Sequence, residues 1–171
     1  AMKGTKRLAV LAMFTAIALT IFVAEAQIPP IVPIPGVKLG LANIVTLIAM
    51  ALLGRRQAGE ILLVRIVLGS MFTGGVSAML FSIAGGVFAY LIMCLTIRHF
   101  PERLLWVVSV LAAFGHNAGQ LLVAVWVTGT PSILVYAPAL VAASVITGAF
   151  TGAAAMYLVR ALRKTGHFPQ E

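Results

Sequence analysis

Residues 3–26 read KGTKRLAVLAMFTAIALTIFVAEA, a short basic patch followed by an apolar run. The run, from about Leu8 to Ala26, is close to the ~20 residues that an α-helix needs to cross the hydrocarbon of a bilayer. Its only charge is Glu25, near the end opposite the basic patch. The same layout also fits a secretory signal with an Ala24-Glu25-Ala26 cleavage site. A spanning helix is the preferred reading, because removing it would leave an odd number of spans.

The rest of the chain repeats this pattern. A Pro-rich loop from Ile28 to Lys38 (IPPIVPIPGVK) leads to apolar spans at about 39–53, 60–73, 76–97, 104–127 and 135–158. The second and third are short and end at Gly54-Arg55-Arg56 and at Gly74-Gly75. Composition agrees: hydrophobic residues make up 61% of the 171 and charged residues 9%. A soluble domain carries about 25% charged residues. The expected fold is therefore an all-α integral membrane protein, a six-transmembrane-helix bundle forming a single domain, multi-pass in the cytoplasmic membrane.

The basic residues orient it. With the N-terminus inside and one crossing per span, Lys3, Lys6, Arg7, Arg55, Arg56, Arg98, Arg103, Arg160, Arg163 and Lys164 all fall on the cytoplasmic side. Lys38 alone falls in an external segment, and Arg65 inside a span. Such one-sidedness is the positive-inside rule, and it places both termini in the cytoplasm. The net charge of +8 is thus a topology signal. No basic face with interleaved aromatics points to nucleic acid.

Small residues recur at i, i+4: Ala12 with Ala16, Gly115 with Gly119, and Gly148 with Gly152. In lipid, helices associate by close packing, which small residues permit.

The residues that lipid should exclude are Glu25, Asn43, Arg65, His116, Asn117 and Gln120, with Lys38 and Gln27 at the margin. An unpaired charge at membrane depth costs roughly 2.5–3.5 kcal/mol on insertion scales. These side chains should face one another or a cavity. His116, Asn117 and Gln120 fall near mid-membrane and, at helical spacing, form one polar stripe. Arg65 could instead be held in an ion pair by Glu25 or Glu60. Asn43 could serve as a helix–helix hydrogen bond. No P-loop, GxSxG, HExxH or Cys/His metal set occurs. Cys94 is the single cysteine, and no cofactor, metal site or catalytic residue is expected.

Three blocks, PGVKLGLANIVTLIA (Pro35 to Ala49), LVRIVLGSMFTGG (Leu63 to Gly75) and GHNAGQLLVA (Gly115 to Ala124), resemble the Gx transporter family. That family is also labelled heptaprenyl diphosphate synthase component I, and the likeness covers nearly the whole chain. More broadly the chain is similar to the substrate-binding S components of energy-coupling factor (ECF) transporters. That resemblance implies a six-helix subunit that binds a vitamin, flavin-like or quinone/isoprenoid precursor from outside, beneath the loop between the first two helices. It also implies coupling, through small residues on the first helix, to a transmembrane subunit and two cytoplasmic ATPases. Ala12-x-x-x-Ala16 matches that docking pattern. Glu25, Asn43, His116, Asn117 and Gln120 would then bind the solute, with Lys38 or Arg65 attracting an anionic group. The synthase label implies a different role, a non-catalytic accessory subunit of isoprenoid or quinone synthesis. Prenyl diphosphate synthases hold magnesium through aspartates, and this chain has no aspartate.

Overall fold

The computed structural model describes residues 4–29, 38–73 and 75–168. Lys3, Gly74 and most of the Pro-rich loop lie outside the described residues. Six helices follow in order: α1 (Gly4–Glu25), α2 (Asn43–Leu52), α3 (Arg55–Thr73), α4 (Val76–Thr96), α5 (Leu105–Thr128) and α6 (Ala137–Lys164). Short 3-10 turns at Glu102–Leu104 and Pro131–Tyr136 lead into α5 and α6.

α1, α4, α5 and α6 are long and apolar enough to cross a membrane. α5 carries its own ruler. Trp106 and Trp126 are both exposed, and twenty residues of helix separate them by about 30 Å. That is the thickness of the hydrocarbon core, and tryptophans favour its two boundaries. Large apolar side chains on the outside of the bundle complete the lipid-facing surface. Met71 of α3, Ile146 and Phe150 of α6, and Leu95 of α4 are each at least 70% exposed, a surface that water would not tolerate.

α2 departs from expectation. The second apolar stretch begins at residue 39, but the helix begins only at Asn43 and has ten residues, about 15 Å or half a bilayer. Gly40 adopts φ +81°, a left-handed conformation that a side chain would strain, so residues 38–42 form an entry turn. α2 is packed inside the bundle, with eight of its ten residues buried against α1, α3, α4 and α6. α3 departs in the other direction. It starts at Arg55 rather than near Glu60, because Arg, Gln and Ala propagate a helix well and Glu60 bonds back to Arg56 one turn earlier, at 3.2 Å.

α4, α5 and α6 pack side by side along their lengths. Glycine lets them approach. A Cβ on Gly119 would lie 2.7 Å from the Ala84 carbonyl oxygen of α4, and one on Gly148 would lie 2.6 Å from Val110 Cα of α5. A hydroxyl pair, Ser109 with Thr151 at 3.0 Å, adds a hydrogen bond between α5 and α6.

The charges gather at one end of the bundle. Arg7 of α1 reaches Glu60 of α3 at 3.0 Å. Arg163 of α6 reaches both Glu102, at 3.0 Å, and the Ala51 carbonyl of α2, at 3.3 Å. Successive helices therefore alternate in direction, with the starts of α1, α3 and α5 beside the ends of α2 and α6. This basic end contrasts with the far end, where α1 finishes at Glu25.

Candidate solute-binding site

Because α2 covers only half the depth, the far half of the bundle centre is filled by other groups. They come from the end of α1, the turn at residues 38–42, mid-α3 and mid-α5. Phe22 and Glu25 lie three residues apart, on one face of α1, and are 3% and 4% exposed. The Glu25 carboxylate accepts the backbone N–H of Gly40. From the other side, Gln120 Oε1 accepts the backbone N–H of Lys38 at 3.1 Å. The turn is thus pinned by a side chain from α1 and one from α5.

His116 sits between two glycines. A Cβ on Gly40 would lie 2.8 Å from its Cδ2, and one on Gly85 of α4 would lie 2.6 Å from its Nδ1. Both positions must lack a side chain for the ring to occupy this place. Asn43, the first residue of α2, places its Nδ2 3.1 Å from His116 Nδ1. With that amide donating, Nδ1 accepts and the ring proton sits on Nε2. This pairing brings Asn43 to the depth of mid-α5, deeper than its place in the second apolar stretch implied.

Arg65 is 3% exposed and lies at the middle of α3. Neither expected ion-pair partner holds it. Glu60 is taken by Arg7 and Arg56 at 3.0 and 3.2 Å. Glu25 attracts both Arg65 and Lys38 through space, but no ion pair to it closes among the described residues. The two cations share an aromatic neighbour instead. Lys38 Nζ lies 3.4 Å from the centroid of the Phe22 ring, and Arg65 Cζ lies 5.5 Å from it. Attraction of a cation to a ring face is worth about 0.5–2 kcal/mol, the upper end where water is excluded.

Asn117 turns away from this group. Its Nδ2 donates to Ser144 Oγ at 2.8 Å and to the Leu140 carbonyl at 3.1 Å, both on α6. The polar stripe of α5 is therefore divided. His116 and Gln120 face the turn and α2, while Asn117 fastens α5 to α6. Ala12 and Ala16 lie elsewhere, on an exposed face of α1.

Three buried nitrogens in this region close no geometrically ideal hydrogen bond among the described residues: Lys38 Nζ, Arg65 Nε and His116 Nε2, although the His116 ring also faces the backbone of Lys38 and of Gly85. An unsatisfied buried donor costs about 1–3 kcal/mol. Three of them beside one carboxylate make a donor-rich, cationic locus with an aromatic wall. Sequence reading did not single out Phe22, Gly40 or Gly85. Phe22 had one available signal, its place one turn before Glu25.

Fold and site together define a class: a multi-pass, all-helical membrane protein with a buried polar cluster in one half of its bundle. The family model described as heptaprenyl diphosphate synthase component I matches residues 14–158, and the chain belongs to that family. The match spans every residue of the cluster and includes Ala16 but not Ala12. No match was found among curated proteins or among solved structures.

Proposed function

We propose that this protein is the solute-binding membrane subunit of an importer of the ECF type. In this reading it is a single transmembrane domain with six crossings. Both termini lie in the cytoplasm, and the cluster opens toward the outside of the cytoplasmic membrane. The short α2 and the charged start of α3 are accommodated because both are packed against longer helices. The subunit is not itself an enzyme. ATP would be hydrolysed by cytoplasmic ATPases, reached through a transmembrane coupling subunit that docks on the exposed Ala12/Ala16 face of α1.

The observation that carries this reading is the set of donors that close no ideal hydrogen bond among the described residues, Lys38 Nζ, Arg65 Nε and His116 Nε2. In a medium of low dielectric such donors are best satisfied by a ligand with anionic or carbonyl oxygens. Phe22 supplies a face for an apolar or aromatic portion of the same ligand. Vitamins, flavin-like molecules and quinone or isoprenoid precursors combine these features. Glu25 and Gln120 would act mainly by holding the turn that presents Lys38, and Asn43 by fixing the His116 ring. Asn117 would act by fixing α5 against α6.

A second reading is favoured by the family's own description. The protein would be a non-catalytic membrane accessory subunit of isoprenoid or quinone synthesis, holding a lipid substrate or a soluble synthase at the membrane. Affinity purification from the native membrane separates the two. Recovery of a transmembrane coupling subunit with ATPases supports the importer, and recovery of a prenyltransferase refutes it in favour of the accessory subunit.

A further inference from the structure

A second site lies at the basic end, far from the cluster around His116. A cavity of about 340 Å³ opens between the end of α2, the start of α3, the end of α4 and the last turns of α6. Its volume falls at the small end of the ~300–1,000 Å³ typical of ligand pockets. Its wall carries Arg55, Arg98 and Arg163 against a single acid, Glu102. Arg163 is engaged, by Glu102 and by the Ala51 carbonyl, and Glu102 is shared further with Arg160 at 3.8 Å. The guanidinium groups of Arg55 and Arg98 form no hydrogen bond or ion pair among the described residues. Positive charge on this wall is therefore in excess.

The backbone adds to it. Gly54, also in the lining, immediately precedes the 19-residue helix α3. The N-terminus of a helix has unpaired N–H groups and a positive dipole end, which acidic residues in the first turn ordinarily offset. α3 has no acid in that turn and begins instead with Arg55 and Arg56. Arg56 is paired with Glu60 at 3.2 Å, which leaves Arg55 as the uncompensated charge at this terminus. The lining also has apolar members, among them Ile97 and Phe100. Helix termini set the cavity at headgroup depth, where basic pockets between transmembrane helices recognise phosphate.

We infer that this cavity binds a phosphate group, held by Arg55, Arg98 and the start of α3, with its organic portion against Ile97 and Phe100. The phosphate could be carried by an anionic phospholipid of the adjoining leaflet or arrive free in solution. Delipidated, full-length protein would be followed by thermal unfolding under three conditions. These are phosphatidylglycerol nanodiscs, phosphatidylcholine nanodiscs, and detergent with millimolar inorganic phosphate. Stabilisation by phosphatidylglycerol over phosphatidylcholine without a response to inorganic phosphate identifies the lipid source. Stabilisation by inorganic phosphate identifies the soluble one. In either case Arg55→Gln/Arg98→Gln should raise the half-saturating concentration at least tenfold. The charge-matched Arg103→Gln/Lys164→Gln, on exposed positions outside the lining, should leave it within twofold. If the double variant fails to fold, Arg98→Gln alone, at an exposed position past the end of α4, gives the same comparison. No stabilisation in any condition, or an equal loss in the charge-matched control, overturns the site.

Discussion

Replacing Asn117 by leucine tests whether the polar stripe of α5 is divided as described. Leucine is close in size, so the change removes hydrogen bonds without opening a hole. The Asn117 amide donates two of them, at 2.8 and 3.1 Å, to Ser144 and Leu140 of α6. Hydrogen bonds between transmembrane helices average about 0.6 kcal/mol and reach about 1.7, so the pair is worth roughly 1–3 kcal/mol. The acceptors are not stranded, because the Ser144 hydroxyl already donates to the Leu140 carbonyl at 2.7 Å. At about 2–4 °C per kcal/mol for a protein of this size, Tm should fall by roughly 2–12 °C. Solute affinity should stay within twofold. Ser144→Ala should lower Tm less, and in the double variant the losses should be less than additive because the two changes remove one shared bond. Thermal unfolding of the four proteins in one detergent, with and without solute, is the assay. An Asn117→Leu protein that keeps its Tm but loses binding tenfold or more would refute the division and return Asn117 to the ligand set.

Other substitutions follow from the same contacts. Gly119→Ala would force a methyl group toward the Ala84 carbonyl of α4 and should cost about 1–3 kcal/mol, read as a lower Tm with solute affinity little changed. Gly40→Ala combines a left-handed φ with a clash against His116, so it should lower both Tm and solute affinity, the affinity at least tenfold in a titration. Glu60→Gln removes the partner of Arg7 and Arg56 at a position more than one-third exposed. Its effect should be only about 0–1 kcal/mol, and the gap in Tm from wild type should narrow further in high salt.

The sequence made the bundle legible because two independent signals agreed. Apolar runs set the number of helices, and basic groups between them set which ends lie together. Arg7, Arg55, Arg56, Glu102 and Arg163 do meet at one end. The start of α2 was not legible from hydropathy, since Leu39, Leu41 and Ala42 continue the apolar run while leaving the helix. Gly40 was the one local sign of a break there. The start of α3 was hidden for the opposite reason. Arg55 to Glu60 look like a loop by polarity, yet they are good helix formers tied by an i, i+4 pair.

In the site, burial was readable residue by residue, because a lone polar group in an apolar run stands out. Glu25, Asn43, Arg65, His116, Asn117 and Gln120 are all buried. Partner choice was not readable. Spacing on α5 puts Asn117 beside His116 and Gln120, but its direction depends on Ser144, which lies on another helix. The role of Phe22 was hidden because an aromatic in a lipid-length run is unremarkable until Lys38 and Arg65 are seen beside it.

The account turns on the donors at Lys38, Arg65 and His116 holding a solute. The direct measurement is calorimetric titration of the purified protein with a solute selected by thermal-shift screening of vitamins, flavins and quinone precursors. Lys38→Gln and His116→Ala would be titrated alongside. The account predicts saturable one-site binding to the wild type, weakened at least tenfold in each variant while both still unfold cooperatively. A wild type that no solute stabilises, or variants that bind as tightly as the wild type, would contradict it.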